Sequence, residues 1–173
     1  MKRLILLISA LFLVSGCMKK KVAPERPKEF PFPEPPKERL LDFDLPDLEG
    51  EYTRIGSLLG KVTVVNFWAT WTTPCTTEVN YLKRLYKKYH PKGLEIIGVG
   101  IDYSYRLRDF VRSHKVPYPV LVGNEEIIRL YAPEGIPYTL ILDKDGKIVY
   151  KDTGFGPEMV KEFKACIDRL LSE

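Results

Sequence analysis

Four short apolar runs rich in β-branched residues, separated by segments of helical period, constrain this chain more than any other feature. "KVTVVNFW" at 61–68 and "LEIIGVGI" at 94–101 have the make-up of strands buried on both faces, and "YPVLVG" (118–123) and "YTLILD" (138–143) continue the series. Between the first two lies "PCTTEVNYLKRLYKKYH", which puts Val79, Leu82, Leu85, Tyr86 and Tyr89 on one helical face. "YRLRDFVRSHKV" and "EEIIRLYA" supply shorter helices after the second and third runs. Strands that alternate with helices in this way pair in parallel through crossover connections. "YTLILD" and "KIVYKDTG" are instead joined by Lys144-Asp145-Gly146, whose Asp-Gly step favours a tight antiparallel hairpin. A last helix, from about Gly156 to Leu171, carries Val160, Phe163, Ile167 and Leu170 on one stripe. The expected architecture is an α/β domain whose central mixed sheet has helices on both faces. "RLLDFDL" and "EYTRI", on either side of "PDLEG", add an N-terminal β-hairpin.

The first 39 residues follow other rules. Lys2 and Arg3, an apolar run from Leu4 to Val14, and small Ser15 and Gly16 before Cys17 have the grammar of an export signal, and the run is too short for the ~20 residues a bilayer span needs. "LVSGC" resembles the lipobox of bacterial lipoproteins. That resemblance implies a signal peptide at 1–16, lipidation of Cys17 as the new first residue, and a mature protein on the periplasmic or outer face of a membrane. Met18 after the cysteine slightly favours the outer membrane. Prolines at 24, 27, 31, 33, 35 and 36 exclude helix and central strand, so residues 17–39 read as a lipidated cysteine and a proline-rich tether, and 40–173 as the folded domain. Loss of Lys2 and Arg3 with the signal leaves 25 basic residues against 23 acidic ones, a balance that gives no footing for nucleic acid. His90 and His114 are the only histidines and sit in no ligand cluster, so neither a metal nor another cofactor is expected; His90 reads as a helix cap or a solvated residue.

"LLDFDLPDLEGEYTRIGSLLGKVTVVNFWATW", "KGLEIIGVGID" and "GIPYTLILDKDGKIVYKDTG" resemble, in order and spacing, the thioredoxin-like domain of exported TlpA/ResA-type thiol-disulfide proteins, from about Leu40 to Leu171. The resemblance implies a thioredoxin-like fold, with Pro137 after Ile136 as a cis-proline whose loop faces the reactive thiols and binds extended substrate. It assigns Trp71, Pro74, Ile136, Pro137 and Tyr138 to the substrate-binding face, although Tyr138 reads equally well as a packed loop residue. Such proteins carry W-C-x-P-C, where the first cysteine attacks a disulfide and the second resolves the product. This chain reads "WTTPC", with Thr72 at the attacking position and Cys75 at the resolving one. The dithiol cycle cannot run. Cys166, on the last helix, reads as a small core residue.

One thiol at a helix start still has chemistry open to it. With Thr73 as the cap and Pro74 in first position, Cys75 falls in the first turn, where free N–H groups favour a thiolate, and the Thr72 hydroxyl is placed to donate to the sulfur. "TTPCTTE" also resembles the T-x-x-C-T-T-E stretch of peroxiredoxins, which would make Cys75 peroxidatic, Thr72 its partner, and the product a sulfenic acid reduced by an outside thiol. That pattern asks for a proline where Trp68 stands and for a nearby arginine, whereas Arg106 and Arg129 lie in helices elsewhere. Glu78 tunes the thiol, as the resemblance to TlpA/ResA-type proteins implies, or complements the helix dipole from the first turn, and the two roles are compatible. Tyr103, Tyr105, Tyr118, Tyr131 and Tyr138 suggest an aromatic surface. Three readings stay open: a thiol-disulfide protein acting on protein or small thiols through Cys75, a thiol peroxidase, and a tethered peptide-binding domain without turnover. An accessible Cys75 with a lowered pKa fits the first two, and a buried one fits the third.

Overall fold

The computed structural model describes residues 43–58 and 61–173, so residues 1–39, with Cys17 and the proline-rich stretch, lie outside the described residues. Two strands, β3 (Val62–Trp68) and β4 (Leu94–Gly100), are buried at every position and form the middle of a five-stranded sheet. They run parallel, in register from Val62 opposite Leu94 to Trp68 opposite Gly100. Strand β5 (Val120–Val122) continues the parallel half beyond β4. On the other side β6 (Tyr138–Leu142) pairs antiparallel with β3, and β7 (Ile148–Thr153) pairs with β6, giving the order β5-β4-β3-β6-β7. The turn between β6 and β7 is drawn in by Asp143, whose Oδ1 accepts from the amides of Asp145 and Lys147 at 3.0 and 2.9 Å.

Helices α1 (Thr73–Tyr89) and α4 (Pro157–Ser172) bury Val79, Leu82, Leu85, Phe163 and Ile167 with Val62, Val64, Ile96 and Ile141. Helix α2 (Ser104–His114) adds Leu107 to the same cluster. A second cluster joins Val65, Phe67, Ile97, Val99 and Leu140 to Ile127 and Tyr131 of helix α3 (Glu125–Tyr131), and to Leu45 and Ile55 of the N-terminal segment. Each fully buried side chain of this size stabilises the fold by roughly 1.5–3 kcal/mol, so alternate faces of β3 hold the two layers of helices to one sheet. The stripe on α4 begins at Met159 rather than Val160. At about 100° per residue Met159 lies ~40° from Phe163 and Val160 ~60° away on the other side, which leaves Val160 on the flank.

The expected hairpin is present as β1 (Asp44–Pro46) and β2 (Tyr52–Arg54). Asp47 organises its turn, accepting from the amides of Glu49 and Glu51 at 2.9 Å, and Gly50 supplies a φ of 97°. Asp47 also bridges to Leu121, which lays the hairpin along the outer edge of β5. Among the described residues no helix is long and apolar enough to cross a membrane.

Candidate active site around Cys75

Strand β3 delivers the chain to the site. Ala69 behind it is fully buried, Trp71 is exposed, and Thr72, with extended φ and ψ of −109° and 133°, begins α1. The helix cap is Thr72 and not Thr73: Oγ1 of Thr72 accepts the amide of Cys75 at 3.3 Å, so Thr73 and Pro74 fill the first two helical positions. The Thr73 carbonyl is occupied by the hydroxyls of Thr76 and Thr77. Proline still stands where no amide is needed.

This shift of one residue leaves Cys75 in the first turn but completely buried. Burial raises its pKa above the ordinary thiol value, opposed by hydrogen bonding from the Thr72 side chain and the Ala69 backbone, and reinforced by the charge of Glu78. A thiolate favoured by the helix start is therefore not what the site holds at neutral pH, because desolvation outweighs the dipole. Thr72 acts on the sulfur as expected, and its hydroxyl caps the helix as well.

Glu78 lies beyond the first turn and is fully buried, so it does not serve as a surface complement to the dipole. Its Oε1 accepts from Thr139 Oγ1 at 2.6 Å, and Thr139 in turn accepts from Asn66 Nδ2 at 2.9 Å. Burial pushes its pKa up to about 7 against the pull of Thr139 and Asn66, with Asp152 adding to the rise. Oε2 has no hydrogen-bond partner among the described residues. At neutral pH this carboxyl stands near its midpoint, three residues along one helix face from a protonated thiol.

The loop before β6 closes the site. Tyr138 pairs with Phe67 near the carboxyl end of β3, which brings Ile136 and Pro137 to the same end of the sheet as residues 69–75. The Ile136–Pro137 bond is cis, and the Pro137 carbonyl accepts the amide of Gly154 at 2.7 Å. Ile136 is half-buried, Pro137 and Tyr138 are buried, and Pro74 is exposed. The Tyr138 ring faces inward to Phe67, with centroids 6.5 Å apart.

Residues 36–151 match the AhpC/TSA family. The chain is a thioredoxin-like protein of that family. It is 37% identical over 123 residues to the thiol-disulfide oxidoreductase ResA of Bacillus cereus, covering 70% of this chain and 69% of that protein. Against ResA of Halalkalibacterium halodurans the identity is 32% over 133 residues, with 75% and 76% covered. Among solved structures it is similar to a protein described as thiol:disulfide interchange protein DsbE from Chlorobium tepidum, at TM-score 0.70 and 26% identity over 75% of this chain and 93% of that one. A thioredoxin-like protein from Porphyromonas gingivalis gives TM-score 0.68 and 26% identity, with 79% and 94% covered.

In this AhpC/TSA chain the two described cysteines are both free, and Cys166 is half-buried at the margin of the first core cluster beside Arg169. Arg106 packs against Tyr103 and Tyr105, and Arg129 pairs with Glu125; neither figures among the groups that set the ionisation of Cys75. His90 caps the end of α1, its amide bonded to the Tyr86 carbonyl. Of the five tyrosines, only Tyr103 and Tyr105 form exposed surface, while Tyr118, Tyr131 and Tyr138 are core. Asn66 and Thr139 were not singled out in the sequence. The signal was there in the form of one amide and one hydroxyl inside "KVTVVNFW" and "YTLILD", runs otherwise too apolar to hold a polar side chain without a partner.

Proposed function

We propose that this is a thioredoxin-like redox protein of the thiol-disulfide type that works through the single thiol Cys75. Glu78 serves as its proton acceptor, and the face formed by Trp71, Pro74 and Ile136 beside the Pro137 loop receives the substrate. One observation carries the reading. A fully buried carboxyl titrating near 7, whose Oε2 has no hydrogen-bond partner among the described residues, weakens a fold rather than building it. Its position beside a protonated thiol gives that proton somewhere to go. The Cys75 thiol passes its proton to Glu78, and the sulfur attacks one sulfur of a substrate disulfide. The substrate S–S bond breaks, a mixed disulfide forms at Cys75, and the leaving thiolate takes up a proton. A second, external thiol then attacks the Cys75 sulfur and releases the protein. Protein or small-molecule thiols and disulfides are the partners this cycle needs.

The ResA relatives support this class of substrate, being thiol-disulfide oxidoreductases by name. The burial of Cys75 supports a gated thiol that reacts once the helix start yields. A peroxidase is supported less well, since no guanidinium among the described residues acts on the thiol to stabilise a departing oxyanion. A purely peptide-binding domain is the reading that burial alone would favour, and the titrating Glu78 argues against it. Export, lipidation of Cys17 after removal of 1–16, a tether over 17–39 and placement at the cell envelope complete the proposal and rest on the N-terminal sequence.

The test uses the full chain carrying Cys17→Ser and Cys166→Ser and glutathione disulfide as substrate. Mass spectrometry should show a single mixed disulfide at Cys75, formed at a rate that rises through about pH 7 and loses that step in Glu78→Gln. Absence of any adduct across the pH range would leave the binding domain as the function.

A further inference from the structure

A row of polar side chains crosses the sheet beneath α1. Thr139 of β6 stands opposite Asn66 of β3 on one side and opposite Asp152 of β7 on the other. The register is regular here, since the shift in the β6–β7 ladder lies between Ile141 and Leu142. Directly paired residues put their side chains on one face with Cβ atoms roughly 5 Å apart, so Asn66, Thr139 and Asp152 share the face on which α1 lays Glu78. The inner end of the row is closed. Asn66 faces Gly98 of β4, where a Cβ would stand 2.9 Å from Trp68 Nε1. Asn66, Thr139 and Glu78 are buried, and half-buried Asp152 is the member that reaches water. Its carboxylate has a fixed place: Oδ2 accepts from Tyr150 Oη at 3.0 Å and Oδ1 from the Thr153 amide at 2.8 Å. Tyr150 lies two residues back on the same face and packs edge-on against Phe163 of α4, with centroids 5.9 Å apart. Among the described residues Asp152 makes no ion pair.

We propose that Asp152 is a positioning residue for Glu78: its carboxylate, fixed across Thr139 at the wet end of the row, opposes the charge on Glu78 and so sets the pH at which Glu78 can accept the Cys75 proton. A neighbouring negative charge favours the neutral form of a buried carboxyl. Burial is the larger influence on Glu78, Thr139 and Asn66 pull the other way, and Asp152 is the one charged group among the described residues that acts on it. The other ionisable groups around the row are Cys75 on α1, Tyr118 before β5, Tyr138 on β6, Tyr150 on β7, Glu134 before β6 and Glu162 on α4. None of them brings a positive charge. Ionisation of Glu78 therefore places two negative charges along one row with no cation between them, which makes Glu78 a stronger base once its proton has left. Asp152 itself neither gains nor loses a proton in the step.

This assignment rests on the proton-accepting role of Glu78 in the proposed cycle, and the test reads Glu78 in two ways. In the full chain with Cys17→Ser and Cys166→Ser, Asp152→Asn is expected to move the pH step in mixed-disulfide formation with glutathione disulfide down by roughly half a unit, about a threefold rise in the ionised share of Glu78 below the step. Urea denaturation over about pH 5–8 should show the loss of stability with rising pH ending sooner by the same interval, a reading that does not need Cys75 to react. Asp152→Glu keeps the charge and should hold both steps at the parent position. Glu162→Gln should do the same, because that carboxylate bears on Tyr150 and not on Glu78. A merely structural Asp152 would instead lower stability equally at every pH. Steps that stay in place in Asp152→Asn, or that move as far in Asp152→Glu, would overturn the proposal. If the parent chain forms no adduct at any pH, the cycle is what fails, and the urea series alone decides on Asp152.

Discussion

The Thr139 hydroxyl donates to Glu78 Oε1 at 2.6 Å, joining residues 61 positions apart inside the sheet–helix interface. Through that bond strand β6 fixes the one carboxyl that α1 buries, and the ionisation of Glu78 becomes a property of the whole fold.

Stability should therefore fall as pH rises. A carboxyl whose folded pKa is about 7, against an ordinary 4.5, keeps its proton in the folded state over a range where the unfolded chain has lost it. Below about 4.5 the group costs nothing; the penalty grows between about 4.5 and 7 and is complete above, reaching about 3 kcal/mol. Urea denaturation at a series of pH values should show this slope in the parent chain and its absence in Glu78→Gln.

Thr139→Val removes the donor that holds the carboxylate down. Glu78 then titrates still higher, and the loss of stability should be on the order of 1–3 kcal/mol above neutral pH, where the charged form is left unpaired. The loss should be smaller in acid. Unfolding of this variant at two pH values separates the two cases.

Thr72→Val deletes a cap and a hydrogen bond to sulfur together. The expected effects are about 1 kcal/mol of lost stability and a Cys75 pKa raised further, seen as slower alkylation by iodoacetamide at mildly alkaline pH. Unchanged alkylation would mean that Thr72 serves the helix alone.

Thr72→Cys creates the W-C-x-P-C spacing of the TlpA/ResA-type proteins that the sequence resembles, on a scaffold that otherwise keeps its parts. An intramolecular disulfide and catalysed reduction of insulin by dithiothreitol are expected of this variant and not of the parent chain. Thiol titration before and after oxidation, with Cys17→Ser and Cys166→Ser as background, checks the first.

The alternation of buried runs and helical faces made the order of elements readable, because periodicity reports which side of each element is wet. The site was readable in its members and misread in its state. Position in the first turn pointed to a stabilised thiolate at Cys75, but burial decides the sign, and the core cluster that holds Cys75 draws on residues distant in sequence such as Ile141 and Phe163. The cap at Thr72 was missed for a local reason: both threonines suit the role, and only backbone geometry tells which one is extended. Asn66 and Thr139 stayed hidden because their meaning lies in a cross-strand pairing, which no single stretch contains.

The margins of the sheet have a consequence for how this protein meets other chains. Asp47 bridges to Leu121 and lays the hairpin along β5, while β7 on the far side carries exposed Lys151, is preceded by exposed Lys147 and follows a register shift beside Leu142. One border is already occupied and the other is charged and irregular, so neither offers a template for an added strand. Crowded copies would be spared edge-to-edge polymerisation, and another polypeptide is left to approach end-on, where the strands finish.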